Sequence, residues 1–121
     1  MHEALEQYIN ATNTHDFAEV SKCVHKDAVY YFTDRTCAGI DEIKAYFEKG
    51  WATIADEKYW ATDVNYILQT SSTMVCTYNF NYAGYVNGKY AEGSGRATNV
   101  FAKEDEGGSW KLLHEHLSRI R

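Results

Sequence analysis

The residues best suited to proton chemistry lie near the end of the sequence. In "WKLLHEHLS" (110–118), His114 and His116 alternate with Glu115. Successive side chains of an extended chain point to opposite faces, so the two imidazoles share one side and the carboxyl takes the other. Histidines at i, i+2 can ligate a metal, relay protons or bridge neighbouring strands or subunits. A glutamate enclosed by apolar groups has its pKa raised toward neutrality, the range in which it serves as a general base. For a metal, a third ligand is missing: His2, His15 and His25 fall in helical or loop segments, and no carboxylate shares the histidine face, so no metal is expected. Tyr8 and Asn99 complete the candidate set, as a phenol that can donate a hydrogen bond and an amide that must find partners once buried. Cys23, Cys37 and Cys76 are odd in number and far apart with no C-x-x-C, which reads as three reduced thiols.

Positioning these groups requires a switch in periodicity along the chain. Leu5, Tyr8, Ile9 and Thr12 recur at helical spacing and mark a first helix. Asp16 and Glu19 form a capping-box pair that opens a short second helix lined by Phe17, Val20 and Val24. "DAVYYFT" (27–33) reads as a strand, "DRTCAG" as a turn, and Ile40, Ile43, Phe47, Trp51 and Ile54 as the stripe of a third helix. Strands follow at about 60–70, 73–83, 89–103 and 109–119, with "NG" at Asn87–Gly88 and "GG" at Gly107–Gly108 as hairpin signals. The expected architecture is an α+β, cone-shaped roll, with three N-terminal helices packed on a strongly curved antiparallel sheet, all in a single domain over 1–121.

Period two assigns the faces. Tyr78, Phe80, Asn99, Phe101, Leu113, Glu115 and Leu117 belong to the sets that suit a helix-covered concave side. Trp110, Leu112, His114, His116, Arg96, Thr98 and Val100 fall on the outer side, too apolar for bare solvent, which suggests a homodimer seam through Trp110, His114 and His116. The ring content points the same way: aromatics make up 15% of the chain, with 10 Tyr and 3 Trp, more than packing of so small a domain asks for. A ring-lined cavity or sizeable interface is expected, with Tyr31, Trp51, Tyr78, Phe80 and Phe101 as its wall. The net charge of −5 and the absence of a Lys/Arg run argue against nucleic acid. No segment has the ~20 apolar residues needed to span a bilayer, so no membrane is expected. The amphipathic, acidic start "MHEALEQYINATN" is unlike a signal peptide, which makes the cytoplasm the expected location.

"GRATNVFAKEDEGGSWKLLHEHLS" (95–118) resembles the closing hairpin of SnoaL-like, ketosteroid-isomerase-like proteins of the nuclear transport factor 2-like superfamily. "YINATNTHDFAEVSKCVHKDAVYYF" and "CAGIDEIKAYFE" resemble the opening and third helix of the same family. The resemblance implies the cone fold and a small-molecule cavity. In the isomerases a first-helix tyrosine and a third-strand acid hold the substrate oxyanion, and those positions match Tyr8 and Asn99. Phe32 or Thr33 stands where the catalytic aspartate would be, with Asp34 about two residues later. The last strand is also similar to the association domain of calcium/calmodulin-dependent protein kinase II, although Asn99 and Leu117 stand where its pocket arginines would fall. Together these features suggest cofactor-free acid/base isomerisation, cyclisation or hydration of a small, largely apolar, oxygenated molecule. Glu115 would move the proton while Tyr8 and Asn99 hold the oxyanion. The alternative is a non-catalytic ligand-binding or oligomerisation module. Loss of turnover in Glu115→Gln separates the two.

Overall fold

A computed structural model describes residues 2–103 and 108–119. The element order is α1 (Glu3–Asn13), α2 (Phe17–Ser21), β1 (Val24–Tyr31), β2 (Thr36–Ala38), α3 (Ile40–Thr53), β3 (Ala55–Gln69), β4 (Thr73–Val86), β5 (Lys89–Ala102) and β6 (Lys111–Arg119). The strands form one curved sheet in the order β2-β1-β6-β5-β4-β3, unclosed because β2 and β3 each have one free side. The helices precede or interrupt the early strands and pack on one face, giving the expected α+β architecture.

Local chemistry explains most element ends. His2 caps α1 through Nδ1, which accepts from the Ala4 amide, and Asp16 caps α2 by accepting from the Ala18 amide. The buried stripe of α1 is Ala4, Leu5, Tyr8, Ile9 and Thr12. The far end of α1 is tied to the sheet by Asn13, whose side chain donates to the Tyr59 carbonyl and accepts from the Tyr59 amide, both at 2.8 Å. Asn87 and Gly88 have φ of 52° and 78°, the left-handed pair a two-residue hairpin requires, and Val86 faces Lys89 across the turn.

Several boundaries differ from expectation. Val24 starts β1 instead of closing α2. "DRTCAG" contains a short strand, β2, paired antiparallel with β1 from Tyr31–Thr36 to Val29–Ala38. α3 runs into β3 with almost no connector, so that strand begins at Ala55. β1 pairs parallel with β6, joining the early strand to the end of the meander. The "EDEGG" turn, with its Gly107–Gly108 signal, falls largely outside the described residues.

The largest correction concerns the start of β6. Val100 pairs with His114, yet Phe101 pairs with Leu112, so one extra residue on β6 bulges out and parity reverses upstream of it. Leu112 is 0% exposed and belongs to the core. Trp110 is half-buried, edge-on to the His2 ring at 5.7 Å with Lys103 Nζ 5.4 Å from its own centroid. Neither residue lies on the outer face that the uninterrupted alternation assigned to them.

Candidate functional site

The strand register assembles the site. Tyr30 on β1 stands beside Glu115 on β6, Glu115 beside Asn99 on β5, and Asn99 beside Cys76 on β4. Neighbours in register share a face, so these side chains form a row on the helix-covered side. α1 lies over that row and delivers Tyr8.

The polar groups answer one another. The Tyr30 hydroxyl donates to the Tyr8 hydroxyl at 2.9 Å, and Tyr8 lies close enough to Glu115 to draw that carboxyl's pKa down. With its amide oriented to suit its neighbours, Asn99 donates from Nδ2 to Glu115 Oε1 at 3.2 Å and to the Thr98 carbonyl at 3.1 Å. Its Oδ1 accepts from the Tyr78 hydroxyl at 3.1 Å. Tyr78 also stands 3.5 Å from Glu115 Oε1 and 3.4 Å from the Tyr59 hydroxyl. Its single proton serves one acceptor at a time, and the shorter contact to Asn99 is the better hydrogen bond.

Glu115 is 2% exposed. Burial raises its pKa from 4.5 to about 7, and the neighbours Tyr8 and Asn99 pull in the opposite direction without prevailing. The four tyrosines around it are pushed well above the ordinary phenol value, chiefly by burial, with the Glu115 charge adding to it. They therefore remain neutral donors at any pH at which the glutamate titrates. Burial, then Glu115, pushes the Cys76 thiol up to about 12, and burial raises Cys23 and Cys37 as well, so none of the three is poised as a nucleophile.

Tyr8 and Glu115 reach the surface of a cavity of about 630 Å³. Phe32, Phe47 and Trp51 wall it from the β1 end and α3, while Tyr59, Phe80 and Tyr82 wall it from β3 and β4. The exposed residues Asp34 and Arg119 mark its open side. The Tyr46 hydroxyl donates to Asp34 at 2.8 Å, and the Tyr46 ring stacks on Phe32 at 3.7 Å between centroids.

The structure thus divides the expected site residues. Tyr8, Glu115, Trp51 and Phe80 line the cavity. Asn99 and Tyr78 are buried one layer behind it and act on Glu115 instead of facing the space. Phe101 packs edge-on to Tyr8 at 6.4 Å, also behind the wall. Tyr31 is on the opposite face, 44% exposed and edge-on to the rings of His114 and His116 at 4.9 and 5.4 Å. Tyr30 points inward on the same strand, so alternation excludes its neighbour from the wall.

His114 and His116 lie on that outer face as well, and Nδ1–H of His114 donates to the Val29 carbonyl at 2.6 Å. Among the described residues no group of three His, Cys, Asp or Glu stands close enough to hold a metal ion. No helix among them is long and apolar enough to cross a membrane.

Sequence reasoning missed Tyr30, whose hydroxyl supports Tyr8, and Glu57, a second carboxyl lining the cavity. Glu57 is half-buried, and burial alone raises its pKa from 4.5 to about 7. It fell in an expected connector because β3 was expected to begin near residue 60.

The SnoaL-like domain family matches residues 1–121. No curated protein sequence matches the chain. Among solved structures, a nuclear transport factor 2-like superfamily protein from Salmonella enterica serovar Typhimurium superposes with a TM-score of 0.86 at 15% identity, covering 98% of this chain and 87% of the other. The S. rosetta calcium/calmodulin-dependent protein kinase II hub gives 0.79 at 19%, covering 96% and 91%. A provisionally assigned dehydratase of the same fold family from Streptomyces avermitilis gives 0.81 at 19%, covering 97% and 91%. At these identities the likeness establishes the fold, and function has to be argued from the site.

Proposed function

Because the chain belongs to the SnoaL-like family, with the nuclear transport factor 2-like fold, we propose that its cavity binds a small, largely apolar, oxygenated molecule and that Glu115 exchanges a proton with it. The observation that carries this reading is a buried carboxyl at the surface of a ring-lined cavity, beside neutral donors, where burial pushes its pKa up to about 7. In the simplest step the Glu115 carboxylate takes a proton from a carbon beside a carbonyl, and the C–H electron pair moves into an enolate. Tyr8, backed by Tyr30, turns its hydroxyl to the developing oxyanion. Glu115 returns the proton to another carbon, so an isomerisation leaves the atom count unchanged and needs no cofactor. Asn99, which supplies no group to the cavity, fixes the Glu115 carboxyl. We place the protein in the cytoplasm, where its three free thiols would stay reduced.

The test is deuterium exchange at the carbons beside the carbonyl of cyclic ketone probes in D₂O, followed by NMR. The protein should accelerate exchange, and Glu115→Gln should lower that acceleration by about 10²–10⁴-fold, the usual contribution of a positioned base. Equal rates with and without the carboxyl would remove the catalytic reading.

A second reading rests on the outer face, where Val29, His114, Val100, Val75 and Leu68 form one cross-sheet row beside Tyr31. Leu68 is 48% exposed and Tyr31 44% exposed on this face, opposite the side that α1 covers with Tyr8. The resemblance to a kinase hub supports self-association there, with a homodimer as the simplest form. Sedimentation velocity of wild type and Val100→Glu tests it: dimer for the first, monomer for the second. A monomeric wild type would dispose of the seam.

A further inference from the structure

If the cavity is a small-molecule site, as proposed above, the charge around it narrows what it holds. Among the described residues three carboxyl groups line it, those of Asp34, Glu57 and Glu115, against one guanidinium, that of Arg119. Two of the acids are already answered. Asp34 accepts from the Tyr46 hydroxyl at 2.8 Å, and Glu115 from the Asn99 amide at 3.2 Å. Glu57 is not: among the described residues no side chain donates to its carboxyl. His15 stands nearby, but its Nε2–H donates to the Glu57 backbone carbonyl at 2.7 Å while its ring stacks on Trp51 at 5.4 Å.

A half-buried carboxylate without a donor is held at a cost that a bound cation would offset. The wall supplies a second attraction for positive charge, since Trp51, Tyr59, Phe80 and Tyr82 line it and aromatic rings attract cations through their quadrupole. An anionic ligand would instead face three acids. We propose that the ligand is an organic ammonium compound, an apolar body bearing a protonated amine, with the ammonium held by Glu57 and the rings beside it.

Three probes of similar size separate charge from shape: 2-phenylethylammonium, 2-phenylethanol and phenylacetate, each titrated by calorimetry at pH 7.5. The ammonium should bind roughly tenfold tighter than the alcohol, the scale of one desolvated cation–π contact plus a carboxylate. Phenylacetate should bind more weakly than either. Glu57→Gln should reduce the preference for the ammonium over the alcohol to within about twofold, and Glu57→Asp, which keeps the charge, should retain most of it. Equal binding of ammonium and alcohol, or a preference that survives Glu57→Gln, overturns the cation assignment and leaves the cavity reading intact. Failure of all three probes to bind at millimolar concentration would bring down both.

Discussion

Replacing Glu115 by Gln keeps the side-chain shape and removes its titration, so the variant isolates the energetic consequence of burying this carboxyl. The folded-state pKa is about 7 and the ordinary value is 4.5. The folded protein therefore binds more protons than the unfolded chain between these values. The stabilisation from the protonated form is fully present below 4.5 and is lost as pH rises through 7. Between pH 5 and pH 8 the wild type should lose about 2–3 kcal/mol from this group, at 1.36 kcal/mol per pKa unit and allowing for partial titration at each end. Glu57 is raised in the same direction, but its contribution is common to both proteins and cancels. Urea denaturation at the two pH values measures the difference. Relative to wild type, the Glu115→Gln midpoint should rise by about 1–2 M urea on going from pH 5 to pH 8, for slopes typical of small domains. Parallel pH dependence in the two proteins would mean that Glu115 is not the buried acid described here.

Tyr30→Phe removes the donor to Tyr8 and should cost ~1 kcal/mol in urea denaturation while slowing ketone exchange. Gly95→Ala would place a Cβ 2.2 Å from the Ser118 carbonyl oxygen and 2.5 Å from the Phe80 ring, so a loss of about 1–3 kcal/mol is expected in the same assay. Leu112→Glu should yield insoluble or unfolded protein because it buries an unpaired charge in the core, whereas Val100→Glu should remain folded by circular dichroism.

How far the sequence could be read follows from the physics of each element. Helix stripes were legible because burial at i, i+3, i+4 is a repeated signal, as Leu5, Tyr8, Ile9 and Thr12 show. The meeting of Asn99 and Glu115 was legible too, since antiparallel neighbours of like parity must share a face. A bulge carries no such repetition. One extra residue between His114 and Leu112 turned Leu112 and Trp110 inward, and alternation counted through it gave the wrong side for both. Glu57 was missed because α3 gives way to β3 at Ile54 and Ala55 with no turn residues between, and Asp56 follows with φ of 55°. Tyr31 was placed in the wall on ring content alone, although the pair Tyr30–Tyr31 can send only one ring to each face.

The central claim is that a carboxyl titrating near neutrality faces the cavity, and it can be observed directly by carbon-13 NMR of side-chain-labelled glutamate across pH 4–9. Two resonances should titrate near 7, one absent in Glu115→Gln and the other in Glu57→Gln. The Glu115 resonance should shift when a ketone probe fills the cavity. A Glu115 carboxyl that titrates in the ordinary range between 4 and 5, or that ignores an occupied cavity, would contradict the account.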